Sequence, residues 1–492
     1  MTEGSIESLD SSWNKHQIRS TTNTWNLYTH PDLEITVHEN ASFKLILLGY
    51  LLDPFEPDSG NSEILNRLAI WKEFDTIVEA THMLNGRFLL FYISKEIFRI
   101  INDASGFRQL FFLKRDGLIH CGSTLDILKE YLGVTSDPEK EALEFLSSEE
   151  YRINSFTWVG YDTVYLEIKK LPPNYLLDIY GQTTSRFWPV ELKKERDINK
   201  VAVKCGDYLK GCFLSSLNRK PIHLGVTGGW DSRVLIAATR NIRDHVFYYI
   251  NRMPDMGDNH MDISISEKLA GAMGYELNIL NINESEVDDQ FIQIHKKNNF
   301  RANDILLPVL YFGHKNNYDD TFTVSGSLAE GNARKYYYMP TFMTKINGRK
   351  LSRIVRFKSN KYAIRKLNDW LEEVLPLCNE LGIDVLDLYQ IEQEACNWCS
   401  FTSSEQDIVR EEMRPFNSRY LISQFWSLDT KYRLLHDPII YFRMINYLWA
   451  ETLDLPVNPS LKSKVTRFLI SMGIGLPFYR MKSRINYTFR LN

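Results

Sequence analysis

Thr227-Gly228-Gly229-Trp230-Asp231-Ser232 puts two hydroxyls, two adjacent glycines and one carboxylate within six residues. The segment before it, Pro221 to Val226, is short, apolar and β-branched, as a buried strand is. After it, Val234, Leu235, Ala237 and Ala238 fall at helical spacing. The order is therefore strand, glycine turn, helix N-terminus. Adjacent glycines let the backbone bend and approach a ligand closely. The opening amides of a helix lack internal partners and sit at the positive end of its dipole. With the hydroxyls of Thr227 and Ser232 they form a cradle for phosphate oxygens. Asp231 would repel phosphate unless a cation stood between them, which points to a hydrated Mg²⁺. The loop lacks the GK[ST] ending and is not GxGxxG. The competing reading is a plain strand-to-helix turn capped by Asp231 and Ser232.

The surrounding elements decide where such a loop sits. Val201 to Leu217 reads as an amphipathic helix leading into the first strand. Strands at Val246–Ile250, Glu276–Leu280 and Thr321–Ser325 alternate with helical stretches, among them Asp262–Met273, ended by Gly274. That alternation predicts right-handed crossovers and a parallel sheet. Ligands of such sheets bind at the carboxyl ends of the strands, where Thr227, Asn251 and Ser325 fall. From Leu351 on the chain reads mostly helical, with apolar spacing at Ala363–Val374, Val385–Cys399 and Ser404–Met413.

Residues 1–192 read as β-rich with a few helices. Strands are expected at Glu34–Val37, Phe43–Leu48, Arg87–Ser94, Ile97–Ile101 and Gln109–Leu113, and helices at Asn61–Trp71 and Pro138–Leu146. Asp116-Gly117 marks a hairpin between Phe111–Leu113 and Leu118–His120. The charged run from Glu191 to Asp197 reads as a surface connection, dividing the chain into 1–192 and 193–492.

The loop at 227–232 resembles the SGGxDS pyrophosphate loop of the asparagine-synthetase-like ATP pyrophosphatases, with threonine in the first place. Ser325-Gly326-Ser327-Leu328-Ala329-Glu330 resembles that family's SGEGxDE, placing Glu330 on its metal-binding aspartate; Ser327 and Leu328 depart from it. Glu411-Glu-Met-Arg-Pro-Phe-Asn-Ser-Arg419 resembles GVEARVPFLDK, and Lys431-Tyr-Arg433 resembles EKxILR. In the first region, Leu84-Asn-Gly-Arg-Phe, the run from Asp103 to Phe112 and Leu171-Pro-Pro-Asn resemble the glutamine-amidotransferase domain that precedes the synthetase domain.

The resemblance implies an α+β Ntn-like sandwich over 1–192, then an α/β parallel-sheet domain of the adenine nucleotide α-hydrolase type with a helical C-terminal part. It implies ATP and Mg²⁺. Thr227, Gly228, Gly229 and Ser232 would hold pyrophosphate, Asp231 and Glu330 the ion, Lys431 the leaving group's charge, and Glu411 would assist proton removal. A carboxylate, small or peptidic, would become an acyl-adenylate for displacement by ammonia or an amine. The family's glutaminase nucleophile is a cysteine exposed when Met1 is removed; here Thr2 stands in that place and Glu3-Gly4-Ser5 reads as loose chain, so the first domain is expected to be degenerate. Two further readings share these residues: a β-lactam- or lasso-type cyclase, and an inactive nucleotide-binding scaffold.

The 492 residues carry 58 Lys+Arg against 62 Asp+Glu, a net charge of -4, which argues against a dedicated nucleic-acid binder. No apolar run approaches the roughly 20 residues that span a bilayer, and no signal pattern opens the chain, so a cytoplasmic protein is expected. A homodimer is left open. Cys396 and Cys399 form a lone CxxC without the second pair zinc would want, and read as packing residues.

Overall fold

The computed structural model describes residues 1–2, 12–19, 24–134, 138–257, 259–283, 287–298, 304–340, 343, 345–459, 465, 468–470 and 472–489. The strands before residue 187 build antiparallel sheets. Six of them run in the order Thr183–Arg186, Tyr175–Asp178, Phe98–Asn102, Asn85–Ser94, Phe43–Leu52, Ile35–Glu39. Asn85–Ser94 is buried almost throughout because both of its faces are covered. Helices Asn61–Ala69 and Phe74–Thr81 pack Ile64, Leu65 and Ile77 against Leu45, Leu47 and Leu90 on one face. On the other, Trp25, Leu27 and Ile119 from two hairpins meet Ile46, Leu89 and Phe91.

The expected Asp-Gly hairpin forms: Arg115 pairs with Leu118, and Asp116 and Gly117 both take positive φ, at 52° and 76°. That is the geometry a two-residue turn needs to follow strand twist. Thr2 is sheet-bound: its N–H and C=O both bond Asn26, and its hydroxyl pairs with His120 Nδ1 at 2.9 Å. The run expected to be loose, from Glu3 to Ser5, lies outside the described residues.

The second sheet has five strands, all parallel, in the order Leu277–Asn281, Val246–Arg252, Ile222–Gly225, Phe322–Val324, Glu411–Met413. Its strands lie within 222–413 and those of the six-stranded sheet within 35–186. From Ile222–Gly225 the chain adds two strands on one side, then returns to add Phe322–Val324 and Glu411–Met413 on the other. The reversal falls between Ile222–Gly225 and Phe322–Val324, and such a switch point opens a crevice at the strands' carboxyl ends.

One expected helix is corrected. Ser404–Met413 is not continuous: a helix covers Ser400–Gln406, and Glu411–Met413 is the fifth parallel strand, paired with Phe322–Val324. The buried Glu412 finds its partners in Arg414 and Ser403, contacts that helical periodicity does not register. The helix expected over Val385–Cys399 is α-helical to Tyr389 and π-helical from Gln390 to Cys399. Both CxxC thiols are buried, and burial pushes Cys399 up to about 11, as for a packing residue. No helix among the described residues is long and apolar enough to cross a membrane.

Candidate functional site

The two loops that leave the switch point meet. The first, Val226 to Gly229, leads into the helix Trp230–Ala238, whose first intrahelical bond runs from Arg233 N–H to Gly229 C=O at 3.2 Å. The second leaves Phe322–Val324 through Ser325, Gly326 and Ser327. Gly326 lies against the helix start, where a Cβ would fall 3.0 Å from Asp231 Cβ. Leu328, where the resembled motif has glycine, keeps a left-handed φ of 73°. A leucine there is strained, and surrounding structure must enforce it.

The loop Thr227–Ser232 is internally braced. Thr227 N–H donates to Ser232 Oγ at 3.1 Å, and the two hydroxyls lie 2.8 Å apart. Gly228 N–H donates to Asp262 Oδ1 at 2.9 Å, so this amide, expected to face pyrophosphate, already has an acceptor. Gly228 C=O accepts from Asn458 N–H at 3.0 Å. Neither glycine takes positive φ. A Cβ on Gly228 would press on Ile265 at 3.1 Å, whereas on Gly229 it would meet nothing nearer than 3.4 Å. The free approach is therefore over Gly229 and the helix start. Arg233, next along, spends its guanidinium on the carbonyls of Leu455 and Pro456.

Asp231 and Glu330 converge, but on a side chain. Arg334 Nη2 donates to Asp231 Oδ2 and, at 2.9 Å, to Glu330 Oε1. The turn that delivers it is closed by Gly331 N–H to Arg334 C=O at 2.6 Å and by Arg334 N–H to Ala329 C=O at 2.9 Å. Burial pushes the Asp231 carboxyl up to about 6, against the pull of the Arg334 guanidinium. A divalent ion shared by both carboxylates would need the place that Nη2 takes. The donor set as arranged does not fit Mg²⁺, and the expected ion bridge is replaced by an arginine bridge. Among the described residues no group of three His, Cys, Asp or Glu side chains gathers as a metal site.

These groups open on a cavity of about 500 Å³. Gly229, Asp231, Glu330 and Arg334 line one part of it; Tyr336, Tyr337, Arg353, Arg356 and Lys482 are among the residues that line the remainder. Arg356 Nη2 donates to Tyr336 Oη at 2.7 Å. Behind Tyr337, on the π-helical segment, lies Glu394, whose inner oxygen Oε2 is buried. Burial pushes its carboxyl up to about 7, with Tyr337 and Arg356 pulling it down and Glu330 pushing it further up.

Two expected site residues lie elsewhere. Glu411 opens the fifth strand, paired with Phe322 at the amino-terminal end of the sheet, away from the crevice. Its Oε1 accepts from Arg108 at 2.7 Å and from Arg87 at 3.3 Å. Lys431 is exposed, with Nζ 5.0 Å from the Tyr432 ring centre, and is not among the residues that line the cavity. Sequence reasoning missed Arg334, Arg356, Lys482 and Glu394. For Arg334 a signal existed: it stands four residues after Glu330, a spacing at which opposite charges meet.

No family model and no curated protein matches the chain. Among solved structures it is similar to the NH3-dependent NAD synthetase from Campylobacter jejuni subsp. jejuni NCTC 11168 in complex with the nitrate ion, at 22% identity and TM-score 0.20, over 27% of this chain and 58% of that one. It is similar to the glutamine-dependent NAD+ synthetase from Acinetobacter baumannii in complex with ADP, at 10% identity and TM-score 0.21, over 50% and 58%. A third is the glutamine phosphoribosylpyrophosphate amidotransferase from B. subtilis complexed with ADP and GMP, at 12% identity and TM-score 0.20, over 67% and 62%. The chain thus spans 58% to 62% of the length of these three. At such TM-scores the likenesses bear no weight, and the site stands on its own residues.

Proposed function

We propose that this chain is an ATP-dependent carbon–nitrogen ligase of the asparagine-synthetase-like kind. It activates a carboxylate as an acyl-adenylate, releases pyrophosphate, and passes the acyl group to ammonia or an amine with release of AMP. The observation that carries this reading is the meeting of two loops at the sheet's switch point, one of them a strand–GG–helix turn, over a cavity of about 500 Å³. In this reading the start of the helix Trp230–Ala238, with Gly229 and the Thr227 and Ser232 hydroxyls, holds the leaving pyrophosphate. The cations on the far wall neutralise charge that builds on it. Glu394, which meets the cavity only through Tyr337, replaces Glu411 as the final acceptor of the incoming amine's proton by way of the Tyr337 hydroxyl, since a carboxyl near 7 is matched to proton transfer at neutral pH.

Thr2 supports a non-hydrolysing first domain, because its hydroxyl is buried and paired with His120. The nucleophile is then free ammonia or an amine. A second reading, an inactive nucleotide-binding scaffold, draws on one observation: Arg334 fills the bridge between Asp231 and Glu330.

Exchange of radiolabelled pyrophosphate into ATP, run with a panel of carboxylates, separates the two. Exchange with any acid upholds the ligase, and product mass then distinguishes intermolecular amide formation from cyclisation. ATP binding without exchange on any acid upholds the scaffold.

A further inference from the structure

The point midway between two converging carboxylates is where a divalent ion would be expected, and here a nitrogen of Arg334 stands in it. We propose that Arg334 is the resident cation of the phosphate site, so that the chain holds no divalent ion of its own and the anionic end of the nucleotide meets a guanidinium instead.

Arg334 is well fixed for this. Its side chain is 8% exposed, and besides the two carboxylates its Nη1 donates to Leu435 C=O at 3.2 Å. Its backbone closes the turn that carries Glu330. A guanidinium keeps its charge at any pH the protein meets. Mg²⁺ wants near-octahedral oxygen ligands and retains several waters. It cannot share so small a gap with a second cation. Removing Arg334 would leave two carboxylates facing each other without a counter-charge, one of them half-buried, and that is a strong reason for them to capture an ion.

The charge of the cavity wall fits an anion without metal help. Arg334, Arg353, Arg356 and Lys482 face it against Asp231 and Glu330, four positive side chains to two negative. The ligand class is a pyrophosphate or triphosphate chain; this part rests on reading Thr227–Ser232 as a phosphate loop.

The test uses the full chain without nucleotide, titrated with Mn²⁺ alone and followed by the electron paramagnetic resonance signal of the free ion. Wild-type protein is expected to show no specific site. R334Q is expected to gain one site per chain, tighter on the order of tenfold or more, and R334Q/D231N to lose it. A wild-type site abolished by D231N overturns the proposal without any Arg334 variant, and so does a folded R334Q that gains no site. A second titration uses inorganic pyrophosphate, with excess EDTA and then with Mg²⁺. Equal binding in both, weakened in R334Q, is expected; binding only with Mg²⁺ overturns the role of Arg334. Failure to bind pyrophosphate under either condition sinks the phosphate-loop reading, and the Mn²⁺ result still decides whether Arg334 holds the ion's place.

Discussion

Gly326 and Asp231 are in backbone-to-side-chain contact across the switch point, so close that a methyl group on residue 326 would lie 3.0 Å from Asp231 Cβ. That approach brings the second loop onto the first. G326A should force the two apart by a few tenths of an ångström. We expect a stability loss of about 1 kcal/mol and a weakening of ATP binding of about tenfold. Urea melts and the ATP dependence of pyrophosphate exchange measure both.

The carboxyl of Asp231 carries a pH signature. Its folded-state value, about 6, lies above the ordinary 3.8 it has when exposed. A group raised on folding contributes stability that is fully present below its unfolded value and is lost as pH rises through its folded value. The stability of wild type relative to D231N should therefore fall from pH 4 to about 6 and be level above. Denaturant midpoints of both proteins across that range check it; a difference that rises with pH contradicts the burial argument.

Glu394 predicts a pH–rate profile. As acceptor of the amine's proton it must be ionised, so amide formation should rise through about pH 7 and level off above. In E394Q that limb should vanish, with a loss of roughly 10²–10⁴ in rate. Pyrophosphate exchange, which precedes amine attack, should persist in E394Q.

Arg87 and Glu411 join the two sheets. The Arg87 side chain, 3% exposed, is held by both oxygens of Asp407 and by Glu411. R87A removes a buried cation but leaves Arg108 beside both carboxylates, with Asp407 partly exposed, and should cost about 1–3 kcal/mol. E411Q leaves Asp407 with Arg87 and should cost about 1 kcal/mol. If Glu411 only ties the sheets together, E411Q will leave the pH–rate profile of amide formation unmoved; a lost limb would return it to the chemistry.

Lys431 offers a simple contrast. K431A should change stability by under about 0.5 kcal/mol, as exposed substitutions do. Exchange should stay within about twofold of wild type. A collapse of exchange would show that this lysine reaches the leaving group after all.

Some of this was legible in the residues. Of the three positions expected at strand ends, Thr227 and Ser325 follow the strands Ile222–Gly225 and Phe322–Val324, while Asn251 lies within Val246–Arg252; a buried strand is a run of apolar side chains, and its end is where that run stops. Asp231 and Glu330 were paired through the resemblance of their two motifs; in the fold they follow neighbouring strands and converge on Arg334, which no motif pointed to. The fifth strand was not. Glu411-Glu412-Met413 has only three residues and no period to read; its form is dictated by the partner Phe322–Val324 and by Arg414 beside Glu412. Glu394 was hidden for a different reason: apolar spacing gives a helix over Val385–Cys399 but not its change to π-helical winding.

Glu411–Met413 is the last strand of its sheet, and the first 192 residues fasten down the chain that follows it. Tyr50 donates its hydroxyl hydrogen to Glu412 C=O at 2.8 Å, and Asn85 Nδ2 reaches the carbonyls of Arg414, Pro415 and Asn417. An uncovered rim of this kind is a template for unwanted pairing between molecules. Tyr50 and Asn85 thus satisfy carbonyls on and beside this edge strand that another molecule's backbone would otherwise find open.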